Sequence, residues 1–571
     1  MHGEEDPWLT NFGDNPLEWF TQYRVRFSPT HLAYLRTLAA QPTPADPAKA
    51  AEQVKARATL KAYDDKAWEQ LDQADKNLHQ KAFTTNSADP DYRSLTTLQY
   101  DDNGTPREVQ VPKSDVFHQF RKDVDEGKLP AVSWLVAPER YSDHPSSAWY
   151  GTWYVSETLD ILTKNPEVWK KTIFILTYDE NDGSFDHVPP FVAPHPHRDD
   201  TGKVSAGIDT TPEYITLEQD LQQTSADEAR EGSIGLGFRV PFVVASPWTR
   251  GGWVNSEVFD HTSCLRFLET FIERKWKKTV KETNISDWRR TVTGDLTSIF
   301  RPYHGETITQ PAFQDKDQVI EAIHKAQFKG LPHPGSLPFT PYQEKGTKPA
   351  NALGYDLLAN GYLDKPSGEF ILDLTAAGKR LGAAALGAPF NLYAPGDYLQ
   401  VLRHNGQATG RPVVAPVKFW SYAVKAGDRL TDRFPLANFA GGAYHLRVYG
   451  PNGFFTEFKG SAQDPDVQVR FSVTPAAVPA IVFTAPAAVA AHDVQVIDHG
   501  YGQNNKTFRI FEDQSTHASS PFVLELDTTQ GWYDVSVRIG GADAFEVRFA
   551  GHVETGKPSV TDPLMGGTLG A

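Results

Sequence analysis

The chain has one cysteine in 571 residues, Cys264, so no disulfide can form within it. We read Cys264 as a helix residue packed in a core. Long apolar runs are also absent: none approaches the roughly 18 residues of a membrane-spanning helix. There is no basic excess. Lys and Arg number 56 against 72 Asp and Glu, a formal net charge of −16. Nucleic-acid binders carry a basic face, so composition speaks against that partner, and against simple electrostatic capture by an anionic membrane. A zwitterionic or neutral substrate fits this balance. The first ten residues, MHGEEDPWLT, show no basic and apolar leader, and on their face imply a protein that starts and stays inside the cell.

What is there suggests several domains. Residues 1–125 read as mostly helical. DNPLEWFTQY offers Asp14 or Asn15 as an N-cap with Pro16 in the first turn, and 44–82 has the spacing of a surface helix. Three apolar runs follow: AVSWLVAP (131–138), TIFILTYDE (172–180) and RVPFVVASP (239–247). Being continuous rather than alternating, they predict strands of a parallel sheet buried on both faces. Helical stretches after the first and third make residues 1–305 an α/β domain, with 190–238 as a long loop of the kind that borders active sites. Residues 306–368 are a Pro- and Gly-rich connector. Beyond it, GGAYHLRVYGPNGFFTEFKG (441–460) resembles QGWYDVSVRIGGADAFEVRFAG (530–551), which predicts two similar β-sandwich domains at 369–474 and 475–567. Neither clusters His or acids, so we read them as packing or surface-binding domains.

Function concentrates at the carboxyl ends of strands in such sheets. Asp143 and His144 follow the first run. Asp179, Glu180, Asp182, Asp186 and His187 follow the second, and Asp260 and His261 follow the third. Adjacent carboxylates at a buried strand end need a counter-charge, and a divalent cation with hard oxygen ligands is the simplest. On a strand Asp179 and Glu180 point to opposite sides, so they share one ion only where Gly183 lets the backbone bend. His144 is a candidate donor to an anionic substrate oxygen. His195 and His197 read as exposed loop residues. Trp149, Tyr150, Trp153 and Tyr154 read as helix core, with a cation cage as the alternative.

The stretch from LPAVSWLVAPERYSDHPSS through TIFILTYDENDGSFDHVPP, together with FDHTSCLRFLE and RVYGPNGFFTEFKG, resembles the bacterial phosphocholine-specific phospholipases C, a phosphoesterase group that also holds an acid phosphatase. The resemblance implies a catalytic domain like alkaline phosphatase, here incomplete, followed by paired C-terminal β domains. It implies Asp179 and Glu180 as ligands of one divalent metal ion (Ca, Mg, Mn or Fe), and His144 as the phosphate-contacting catalytic histidine. His187, Asp260 and His261 would line the substrate. The implied substrate is a choline phospholipid at a membrane surface, cleaved to diacylglycerol and phosphocholine through a phospho-enzyme. The implied location is periplasmic or secreted. The family's twin-arginine signal, its first metal-ligand segment and its Ser/Thr nucleophile have no counterpart in this sequence. The expectation is therefore a chain lacking the first part of its catalytic domain, with Ser142, Thr177 and Ser184 unassigned. Three readings follow: the phospholipase C, a non-catalytic remnant that binds a surface or partner, and an acid phosphatase.

Overall fold

The computed structural model describes residues 6–9, 29–61, 68–81, 84–330, 346–401, 403–404, 407–408, 411–485, 490–501, 505–511 and 521–565. The expected cap at Asp14 or Asn15 lies outside them, as does most of the Pro-rich KGLPHPGSLPFTPYQEKG stretch. The described residues fall into two compact units, Met1–Phe174 with Thr307–Phe339 and Ile175–Glu306 with Thr340–Ala571.

In the first unit, α1 (Pro29–Ala40), α2 (Pro47–Lys61) and α3 (Gln73–Lys81) precede a hairpin of β1 (Leu95–Asp102) and β2 (Thr105–Pro112). Asn103 and Gly104 close it with positive φ, the left-handed pair that a two-residue hairpin turn needs. After α4 (His118–Asp125) and α5 (Gly151–Thr163) the core is aromatic. Phe117 and Tyr154 lie 4.3 Å apart between ring centroids, and Tyr141 and Trp153 5.1 Å. Tyr150, Trp153 and Tyr154 are buried there, whereas Trp149 is 74% exposed.

The run 131–138 is not a strand. It pairs with no other segment among the described residues, and Val132, Trp134, Leu135 and Val136 are exposed. A continuous apolar run becomes a doubly buried strand only where neighbouring strands and covering helices exist, and among the described residues none covers this one. The other two runs do form strands, β3 (Phe174–Thr177) and, after β4 (Gly202–Val204), β5 (Phe242–Ala245). Among the described residues they pair only with each other, and Val243 in β5 is 53% exposed. The expected three-stranded buried sheet is thus a two-stranded one here. The helices α6 (His261–Trp276) and α7 (Asp287–Val292) follow.

The strand-rich region of the second unit repeats one arrangement of seven strands. The first set is β6 (Leu357–Asp364), β7 (Glu369–Ala376), β8 (Ala388–Gln400), β9 (Val413–Val424), β10 (Asp428–Pro435), β11 (Ala443–Tyr449) and β12 (Phe455–Ser461). The second is β13 (Gln468–Val473), β14 (Pro479–Thr484), β15 (His492–Asp498), β16 (Lys506–Ile510), β17 (Phe522–Glu525), β18 (Trp532–Ile539) and β19 (Glu546–His552). In each set the first, second and fifth strands make a small sheet. The other four enter one nine-stranded sheet of order β16-β15-β18-β19-β12-β11-β8-β9-β4. The two hairpins with similar sequences are β11–β12 and β18–β19. They meet where β12 pairs antiparallel with β19, Phe455 opposite Ala550. Alternation drives this: in β11 Tyr444, Leu446 and Val448 point inward, while Ala443 and Tyr449 are exposed. A single core runs through both sets, with Phe390, Leu446, Phe458, Val494, Val535 and Phe549 all at 1% exposure or less. The segment boundaries differ from the sequence reading. β6 lies inside the stretch read as connector, and β13 lies before the break expected at 474.

β4 ties the segment after β3 to this sandwich by pairing in parallel with β9. Gly202 makes the contact: its φ is 124°, and a Cβ there would sit 1.8 Å from the Ser421 carbonyl oxygen. Trp288 of α7, fully buried, packs with Ala193, Ile208, Val292 and Ala423 at the same junction.

Glu257 is buried before α6, and burial pushes its carboxyl up to about 7, partly offset by the hydrogen bond Ser298 donates to it. A carboxyl raised in the folded state stabilises fully below its unfolded pKa of about 4.3, and that stability is lost as pH rises through 7. The expected result is a fall in unfolding free energy of about 3 kcal/mol between pH 4.5 and 8. Glu257→Gln should flatten that slope in urea melts; an unchanged slope would place the titration elsewhere.

Candidate active site

The candidate residues fall in two separate places, Asp143 and His144 in the first unit and the others in the second. In the first unit, Ser142-Asp143-His144-Pro145 forms the loop before α5. Asp143 takes a left-handed φ of 63°, and its carboxylate accepts a 2.7 Å hydrogen bond from the Gly151 backbone at the start of the helix. A Cβ on Gly151 would lie 2.4 Å from that carboxylate, so glycine is required there. Asp143 therefore holds the loop and His144 is its exposed product. The His144 backbone N–H donates to the Ser142 hydroxyl, and its Nδ1 lies 3.1 Å from the Ser146 hydroxyl. Gly151→Ala is expected to break the Asp143 bond, cost about 1–2 kcal/mol in a urea melt, and shift the His144 loop; an unchanged midpoint would show the loop held by other contacts.

In the second unit, β3 ends at Thr177 and the chain turns. Asp182 and Gly183 both have positive φ, and the Ser184 N–H donates to the Asn181 carbonyl at 2.8 Å, so the bend falls at the glycine. Asp179 and Glu180 are exposed, and among the described residues no ion pair holds either carboxylate. His261, the first residue of α6, reaches the same strand end: its Nε2 lies 2.9 Å from the Tyr178 carbonyl oxygen. A carbonyl only accepts, so Nε2 carries the proton, and Nδ1 is the nitrogen that would take up a proton or bind a cation.

The remaining carboxylates are committed elsewhere. Asp186 pairs with Arg239 through both oxygens, and this partner, with the Val188 N–H, holds its carboxyl down to about 2 despite partial burial. His187 lies 3.1 Å from Asp186 but is itself 86% exposed. Asp260 is nearly buried. It caps α6 through the Ser263 N–H, takes the Thr262 hydroxyl at 2.6 Å, and pairs with Arg289 at 2.6 Å. Arg289 also holds Glu213 at 2.9 Å and donates to the Gly235 carbonyl. The sequence reading missed Arg289 and Arg239. The available signal was physical: an acid at a helix start inside a core needs a cation, and DWRR supplies one.

The structure thus brings Asp179, Glu180 and His261 to one strand end. It leaves Asp186 and Asp260 in ion pairs. No three His, Cys, Asp or Glu side chains gather as a metal-ligand group among the described residues. Mg²⁺ and Ca²⁺ take six or more oxygen ligands, so Asp179 and Glu180 fit part of a shell and not a whole one. Among the described residues, no helix is long and apolar enough to cross a membrane.

Comparison with known proteins carries the assignment further. Residues 22–273 match the phosphoesterase family, and residues 349–461 match the bacterial phospholipase C C-terminal domain. The chain is 35% identical over 460 residues to the non-hemolytic phospholipase C of Burkholderia pseudomallei, covering 79% of the chain and 59% of the relative. It is 38% identical over 462 residues to the non-hemolytic phospholipase C of Pseudomonas aeruginosa, covering 79% and 60%. The hemolytic phospholipase C of the same organism is 36% identical over 480 residues, covering 78% and 59%. The chain thus spans 59–60% of the length of these relatives. The matched phosphoesterase region contains every candidate site residue, and the sandwich begins inside the second match. The chain is thus similar to the phosphoesterase family over residues 22–273 and to the bacterial phospholipase C C-terminal domain over residues 349–461.

Proposed function

We propose that this chain acts as a phospholipase C, a phosphoric diester hydrolase that cleaves a choline phospholipid to diacylglycerol and phosphocholine. The observation that carries the reading is the similarity to phospholipases C over 79% of the chain, with Asp179, Glu180 and His261 inside the phosphoesterase match at 22–273. Phosphodiester hydrolysis needs counter-charge on the transferring phosphoryl group and a proton for the departing alkoxide. His261 supports the second requirement through Nδ1: the Tyr178 carbonyl holds the Nε2 proton, so a proton carried on Nδ1 is the one the imidazolium would give the alkoxide. His144, exposed on an anchored loop, supports a contact to a phosphate oxygen. Asp179 and Glu180 support a cation site, and one divalent ion is part of the proposal, to be read as loss of turnover on chelation. His187 is assigned to the substrate side on its exposure, and Asp260 acts by positioning His261 at the helix start. A periplasmic or secreted location belongs to the same reading.

The second reading is a lipid-surface binder without turnover. Release of phosphocholine from phosphatidylcholine by the purified chain, with and without added divalent ions, separates the two. An acid phosphatase would instead prefer monoesters, so p-nitrophenyl phosphate against p-nitrophenylphosphorylcholine tests that alternative.

A further inference from the structure

Toward its far end the β8–β9 hairpin carries apolar side chains that stay exposed among the described residues. Leu399 and Val414, paired across the ladder, are 38% and 60% exposed; Val413 and Val417 are 42% and 54%. The neighbouring pair, Tyr398 and Ala415, is buried on the opposite face. Across the register shift between Pro395 and Tyr398, the paired residues Tyr393 and Phe419 lie 5.1 Å apart between ring centroids, and Tyr393 lies 5.8 Å from Tyr449. Aliphatic side chains toward the far end of the hairpin, with tyrosines nearer the sandwich, match the order of a bilayer boundary, acyl chains first and headgroups next.

Charge agrees. No Asp or Glu lies between Asp397 and Asp428, in a chain of net charge −16, while Arg403 and Arg411 lie within that stretch. A carboxylate entering the headgroup layer loses hydration, whereas arginine gains phosphate oxygens.

We propose that the β8–β9 hairpin is a membrane-docking element that seats on a phospholipid bilayer, with Leu399, Val413, Val414 and Val417 entering it. Docking does not require hydrolysis and stands whether or not the chain turns lipid over. The competing occupant of this face is a second copy of the chain.

The test is co-sedimentation of the full chain with phosphatidylcholine vesicles in EDTA, comparing wild type with the double substitution Val414→Asp and Val417→Asp. Both positions are exposed, so folding is checked only by the urea midpoint. The wild type is expected to bind at least about tenfold more tightly than the double variant, as withdrawal of even one valine from the bilayer implies. The milder pair Leu399→Ser and Val413→Ser should shift binding in the same direction. Hydrolysis of a water-soluble choline phosphodiester should stay unchanged, which separates docking from catalysis. Equal partitioning of wild type and variants, or no sedimentation of either, overturns the proposal. So does a wild-type dimer in light scattering that the variants make monomeric.

Discussion

Glu180→Ala is expected to lower phosphodiester hydrolysis about a thousandfold or more while leaving the urea midpoint unchanged. The side chain is exposed at the end of β3, and no ion pair among the described residues depends on it, so truncation removes no packing. Surface substitutions of that kind stay within about 0.5 kcal/mol in stability. Turnover is different if the carboxylate holds a cation beside the transferring phosphoryl group. Loss of that stabilisation is worth several kcal/mol in the transition state, and each 1.4 kcal/mol is about tenfold in rate. Activity within about tenfold of wild type would remove Glu180 from the site. His195 serves as the control. It lies in the long loop 190–238, half-buried against Tyr214 at 4.4 Å between rings, and its substitution should cost far less activity.

Arg289→Met should show the opposite signature. The guanidinium is 15% exposed and bridges two carboxylates, Asp260 at 4% and Glu213 at 3%. Removing it leaves both charges buried without their cation. Breaking a buried pair in this way costs about 3–5 kcal/mol. Arg289→Lys should fall between, because a single ammonium cannot reproduce the fork that reaches Asp260, Glu213 and the Gly235 carbonyl together. Activity should fall as well, since Asp260 sets the start of α6 and with it His261. A loss below about 1 kcal/mol in chemical denaturation would mean that the carboxylates find other partners.

The contrast between these two carboxylates explains how much of the site was legible in sequence. Glu180 and Asp260 both follow apolar runs and precede histidines or turns, and the pattern alone could not separate an open acid from an ion-paired helix cap. The difference lies in Arg289, distant in sequence from Glu213 and supplied by α7. The bend at Gly183 and the helices after the first and third runs were readable, because glycine conformation and helical spacing are local properties. So was the duplication: two similar hairpins in sequence are neighbours in one sheet. Strand status of 131–138 was not readable, because its apolar character depends on neighbours that must come from elsewhere. Repeat boundaries were missed for a related reason. β6 and β13 belong to the small sheets of the sandwich, whose sequences carry weaker similarity than the central hairpins.

The account rests on the claim that the end of β3 is the working edge of a phospholipase C. The most direct test is phosphorus NMR of detergent-dispersed phosphatidylcholine incubated with the purified chain and divalent ions, run beside Glu180→Ala. The account predicts a growing phosphocholine signal matched by diacylglycerol, and its loss in the variant. Phosphatidic acid with free choline, or a phosphocholine signal equal in both proteins, would contradict it.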